Sequence, residues 1–168
     1  SWDDKVIFEG KNKFIGKVID GYISGAEVFI DQNFNFNKDS GELSTISQDN
    51  GSFLIGTDDD TLYQCLQNRP IVAAVPVGAT DESLGEVTTA FRMILPSIND
   101  AGGNSSIVIT PFTDLLSQSI INAKKNSSIT EDLSVAEGCQ SVGDSIASDV
   151  TNEINQIVET IQSSFGVS

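Results

Sequence analysis

The residues of this chain best suited to chemistry lie in the twelve-residue stretch 31–42, DQNFNFNKDSGE, which places oxygen-bearing side chains at positions 1, 3, 5, 9 and 12. That is the order of donors in a calcium loop. In an EF-hand-type loop alternate positions turn oxygens inward, position 7 gives a backbone carbonyl, and a Glu at position 12 binds through both oxygens. On this reading Asp31, Asn33, Asn35, Asp39 and Glu42 are the side-chain ligands and Asn37 supplies its carbonyl. Position 6 is Phe36 in place of the usual Gly, and Phe tolerates a left-handed backbone poorly, so cation affinity is where the pattern is weakest. The same residues also suit a polar, Asx-rich hairpin loop that binds nothing.

Composition narrows the alternatives. With 24 acidic against 9 basic residues the net charge is -15, a field that repels phosphate backbones and anionic membrane surfaces, so nucleic acid is not an expected partner. The chain has no His, which removes His-dependent triads and most zinc hydrolase schemes. There is no G-x-S-x-G, P-loop or H-E-x-x-H pattern, so catalysis would fall to Asp58, Asp59 and Asp60 with Asp81 and Glu82, paired as in a glycosidase. Solvated turn carboxylates account better for these acids, with the run at 58–60 capping a helix over 61–67. The expectation is a protein that is not an enzyme. Cys65 and Cys139 form an even pair. In an exported protein they read as one disulfide joining the sheet layer to the helical part, and in a cytosolic one as two buried thiols. No apolar run approaches the roughly 20 residues of a membrane-spanning helix, and the opening SWDDKVIFEG does not read as a signal peptide, so the chain reads as mature or excised.

The elements that must position the loop are mainly strands. Residues 5–8 and 13–19 cluster β-branched and aromatic side chains between glycines, and residues 26–30 (AEVFI) deliver Asp31 into the loop. After Glu42 come weak strands over 43–47 and 52–55 around the turn Asp49-Asn50-Gly51. Residues 70–77 (PIVAAVPV) form a continuous apolar run expected to be a central strand buried on both faces. Residues 78–85 read as a polar turn, and 86–95 and 107–109 as further strands. Then the grammar changes. Thr110-Pro111 is an N-cap followed by Pro at the first helical position, Phe112, Leu115, Leu116, Ile120 and Ala123 recur at helical spacing, and Lys124-Lys125 favour the helix end. Ser128 and Glu131 suggest a capping box for a second helix, interrupted near Gly138 and Gly143. Ile146, Val150, Ile154, Ile157, Val158, Ile161 and Phe165 make a long apolar stripe, expected to pack on the protein's own sheet or first helix. The domain reading is an N-terminal strand or arm over 1–12, a β-sandwich calcium-binding domain over 13–110, and a helical region over 111–168 that packs on it.

Residues 17–53, KVIDGYISGAEVFIDQNFNFNKDSGELSTISQDNGSF, carry a further signal. The combination of D-G-Y-I-x-G-A with the D-x-N-x-N-x-x-x-D-x-G-E loop and a D-x-N-G-x-F turn resembles the calcium-binding B-type repeats of bacterial adhesins, the SdrD B-like modules. The likeness continues through residues 74–79 and 108–113, so it spans residue 14 to about 116. It implies a Greek-key β-sandwich with an EF-hand-like calcium loop, and the strand-then-helix order adds C-terminal helices and makes the chain α+β. It also implies an extracellular or cell-surface location, calcium as the cofactor, and a structural or adhesive role. The matching residues are Asp31, Asn33, Asn35, Asp39 and Glu42, with Asn37 as backbone donor and Phe36 departing from the family Gly. Asp20 of the D-G-Y pattern suits an Asx-type turn better than an auxiliary ligand role.

Together these observations point to a calcium-stabilised, non-enzymatic module of a surface assembly. Its partners would be other copies or neighbouring domains, with residues 1–12 adding as a strand to the sheet edge of the next copy in a filament. The alternative is a carbohydrate- or protein-binding module of a secreted protein, using Trp2, Tyr22, Tyr63, Phe34 or Phe36 as contact platforms.

Overall fold

A computed structural model describes residues 10–101, 106–129 and 131–166. Among the described residues ten strands precede or flank the helices: β1 (Asn12–Val18), β2 (Ile23–Ser24), β3 (Glu27–Ile30), β4 (Ser44–Ile46), β5 (Ser52–Thr57), β6 (Ile71–Val75), β7 (Thr80–Asp81), β8 (Gly85–Glu86), β9 (Phe91–Leu95) and β10 (Ile107–Ile109). The helices are α1 (Asp60–Leu66), α2 (Pro111–Asp114), α3 (Gln118–Asn126) and α4 (Ser141–Ser164). A three-stranded sheet runs β10-β1-β5, with β10 parallel and β5 antiparallel to β1. A four-stranded antiparallel sheet runs β4-β3-β6-β9, and β2-β7-β8 form a small third sheet. The chain is therefore α+β, with mixed sheets followed by C-terminal helices. The strand expected over residues 5–8 lies outside the described residues.

Period-two alternation gives the two larger sheets a shared core. Phe14 and Val18 of β1, Phe53 and Ile55 of β5, and Ile107 and Ile109 of β10 meet Val28 and Ile30 of β3, Ile71, Ala73 and Val75 of β6, and Met93 and Leu95 of β9. Gly16 permits this closeness, because a Cβ there would lie 2.2 Å from the Ile107 carbonyl oxygen and 2.7 Å from the Phe53 ring. The opposite face of the four-stranded sheet carries the cross-strand row Phe29, Val72 and Ile94. Ile120 and Ala123 of α3 and Ile146, Ala147, Val150 and Ile154 of α4 cover that row, forming a second core. β6 is thus buried on both faces, as its apolar run requires. The next row on the same face is Ile46, Glu27, Ala74 and Arg92, of which Ala74 packs against the second core.

Some elements differ from the sequence reading, for local reasons. The strand expected over 86–95 begins only at Phe91, because Val87 bonds back to Gly78 and Ala79 at 2.9 and 2.8 Å and turns the preceding stretch into a hairpin. The residues read as a polar turn therefore include β7 and the first residue of β8. Ser128 has φ +60, outside the geometry of a cap. The reciprocal capping pair is instead Ser134 with Glu137, at 2.9 and 3.1 Å, before a short 3-10 turn at Glu137–Cys139. Thr110 and Thr113 form the box that starts α2, and Asp59 caps α1 by accepting from the Leu62 N–H at 2.9 Å. The apolar stripe of α4 is buried at Ile146, Val150 and Ile154, half-buried at Ile157 and Ile161, and exposed at Val158 (37%) and at Phe165 (80%) just past the helix.

Candidate functional site

Residues 31–42 join β3 to β4, so the loop springs from the end of one buried strand and returns beside it. Its base is fixed by backbone bonds from Ile30 to Leu43 (3.1 Å) and from Asp31 to Pro70 (2.8 Å). Asp31 is fully buried, and its two carboxylate oxygens accept the N–H groups of Asn35 (3.2 Å) and Phe36 (2.8 Å). Glu42, also buried, accepts from the Gln32 and Asp39 N–H groups, each at 2.7 Å. Asn33 and Asn35 both donate through Nδ2 to Asp39 Oδ2, at 2.8 and 2.7 Å. Asn37 is exposed and donates its N–H to Asn35 Oδ1 at 3.0 Å. The loop thus links Asp31, Asn33, Asn35, Asp39 and Glu42 in one hydrogen-bonded network.

Burial at the loop base has an electrostatic consequence. Desolvation pushes the Asp31 carboxyl up to about 6 and that of Glu42 up to about 7. Repulsion acts in the same direction, since Asp39 raises both groups and Asp31 raises Glu42, while the backbone N–H donors and, for Asp31, Lys124 oppose the shift. Asn33 is only 4% exposed, and its Oδ1 is the one buried side-chain oxygen or nitrogen among the described residues with no hydrogen-bond partner. Such an orphan costs about 1–3 kcal/mol. The donor set is all oxygen, acidic, and includes an unanswered acceptor, which is the chemistry of a hard cation such as calcium. No group of three or more His, Cys, Asp or Glu side chains among the described residues is drawn together as a metal cluster. Asp31 and Glu42 instead hold the loop's own amides.

Phe36 adopts φ +66, the left-handed conformation that Gly serves at position 6, and Phe34 does likewise at φ +61. Phe34 is fully buried in the second core and so offers no contact platform, whereas Phe36 is half-buried. Tyr22 is 42% exposed beneath Lys17, and Tyr63 meets Phe14 in a tilted pair with ring centres 4.9 Å apart. Asp58, Asp59 and Asp60 lie exposed at the start of α1, and Asp81 accepts the Ser83 and Leu84 N–H groups in a turn.

The loop also leans on a segment roughly a hundred residues away, which sequence reasoning missed. Gln32 Nε2 donates to the Val135 carbonyl (2.8 Å) and Asn33 Nδ2 to that of Leu133 (3.0 Å). Gly138 packs so closely that a Cβ would lie 1.9 Å from the Gln32 carbonyl oxygen. This segment is anchored twice. Cys139 is disulfide-bonded to Cys65 of α1. Arg69, fully buried, donates from Nε and Nη2 to the Gly138 carbonyl (3.0 and 2.7 Å) and pairs with Asp144 at 2.9 Å. Carbonyl acceptors leave no mark in side-chain identity; the only available signals were the Gly138-Cys139 pair and the rarity of arginine, of which the chain has two. Compared with protein-family models, curated proteins and solved structures, the chain finds no match.

Proposed function

We propose that this chain is a calcium-stabilised extracellular structural or adhesive module, with the cation held by the loop 31–42. The observation that carries the reading is the buried, unpartnered Asn33 Oδ1 in a loop whose Asp31, Asp39 and Glu42 carboxyl groups repel one another. Asp31, Asn33, Asn35, Asp39 and Glu42, with the Asn37 carbonyl, would hold the ion in the manner of an EF-hand-like loop. Calcium supplies positive charge that offsets the repulsion and answers the orphaned oxygen. Because the loop lies between strands, binding has no helix pair to open, and its product is rigidity rather than signalling. The Cys65–Cys139 disulfide favours an oxidising location outside the cell. No helix of the described residues is long and apolar enough to cross a membrane. The Greek-key arrangement belongs to the same proposal.

Calcium at a hundred times its dissociation constant should add about 2.7 kcal/mol of stability, raising the melting temperature by roughly 5–10 °C over that in chelator. Calorimetry reads this directly, and an unchanged melting temperature at millimolar calcium removes the idea. Assembly through the arm is the second part of the proposal. The four-stranded sheet ends in the short strand β4, an edge to which the arm that precedes β1 in another copy can add. Deleting residues 1–10 should reduce the oligomer to a monomer by light scattering; an unchanged mass counts decisively against strand addition.

A further inference from the structure

The chain contains two arginines and the loop contains two phenylalanines, both in left-handed backbone geometry. Each arginine lies over one of them. The Arg69 guanidinium carbon is 5.5 Å from the centre of the Phe34 ring, and that of Arg92 is 5.3 Å from the centre of Phe36. Arg92 Nη1 also donates to the Phe36 carbonyl at 3.1 Å, fixing the peptide that follows the left-handed residue. Arg69 is held in turn by Gly138 and Asp144. We propose that the two arginines are positioning residues for the loop, clamping Phe34 and Phe36 in the conformation that glycine provides without cost. A left-handed non-glycine residue is disfavoured roughly five- to thirtyfold, and a guanidinium over an aromatic face opposes that bias. The two clamps act at different depths: Arg69 sets the loop against residues 133–139 in the core, and Arg92 sets its outer turn from β9. Phe36 stands between Asn35 and Asn37, so its backbone angle decides where both present their oxygens. The inference rests on the calcium reading for its consequence but not for its geometry.

The test is a cycle of wild type, Phe36→Gly, Arg92→Ala and the double variant, read by calcium titration calorimetry and by thermal unfolding in chelator. Arg92 is the arm to remove, because it is exposed and its loss leaves both cores intact. With Phe36 present, Arg92→Ala should weaken calcium binding about tenfold and lower the chelated melting temperature. In the Phe36→Gly background it should change either by less than about twofold in binding and little in melting. Equal effects in both backgrounds overturn the clamp. Tighter binding after Arg92→Ala also overturns it, since that is the signature of simple charge repulsion between guanidinium and cation. If none of the four proteins binds calcium, the calcium reading falls, and the melting temperatures in chelator alone decide the clamp.

Discussion

In chelator the protein is expected to melt at a higher temperature at pH 5 than at pH 8, with a slope that Asp31→Asn and Glu42→Gln each flatten. Burial is the main cause, pushing Asp31 up to about 6 and Glu42 up to about 7 from 3.8 and 4.5. A carboxyl group whose folded pKa is raised holds its proton more tightly when folded. Its stabilising share is therefore complete below the unfolded values, near pH 4, and is lost as pH climbs through about 6 and then about 7. The loss is on the order of 3 kcal/mol for either group. Calcium should remove the slope, because it takes the place of the protons: its affinity rises from pH 5 to pH 8, and saturating ion closes the gap in melting temperature. A chelated melting temperature that is flat or rising over this range refutes the buried-carboxylate account. A gap that saturating calcium leaves untouched refutes the calcium reading alone.

The candidate ligands were legible because they are local. Asp31, Asn33, Asn35, Asp39 and Glu42 announce themselves by spacing within twelve residues, and hydrogen bonds within the loop link them. Thr110-Pro111 and the acidic run before α1 were legible for the same reason, since caps act over three or four residues. The apolar run of β6 announced a strand buried on both faces, although not which elements would cover it. What the sequence hid depends on contacts between distant residues. Leu133 and Val135 meet the loop through carbonyls that any residue carries, and the Val87 bonds that shorten β9 are likewise between backbone groups. The expectation for Phe36 was physically sound but incomplete. A left-handed Phe is disfavoured in isolation, yet Phe36 adopts that geometry where Arg92 approaches from a strand more than fifty positions later. The stripe on α4 was read as one surface, but its contact with the second core ends with Ile157, and Val158 and Phe165 are exposed.

Replacing Cys65 and Cys139 together by Ser should cost about 4 kcal/mol of stability, the chain-entropy expectation for a sequence separation of 74 residues. A simple tether would do no more than that. Here Cys139 ends the segment whose Leu133 and Val135 carbonyls receive Asn33 and Gln32, so the bridge also holds the back of the loop. Releasing it leaves Arg69 as the remaining anchor, through its two bonds to the Gly138 carbonyl. The double variant should therefore also bind calcium more weakly than the oxidised protein, in conditions where both are fully folded. Urea unfolding and calcium titration of the same two proteins separate the effects. An unchanged urea midpoint would show that the bridge does not restrain the unfolded chain. A lowered midpoint with unchanged calcium affinity would show that Arg69 by itself keeps residues 133–139 against the loop, and that the disulfide stabilises the protein without shaping the site.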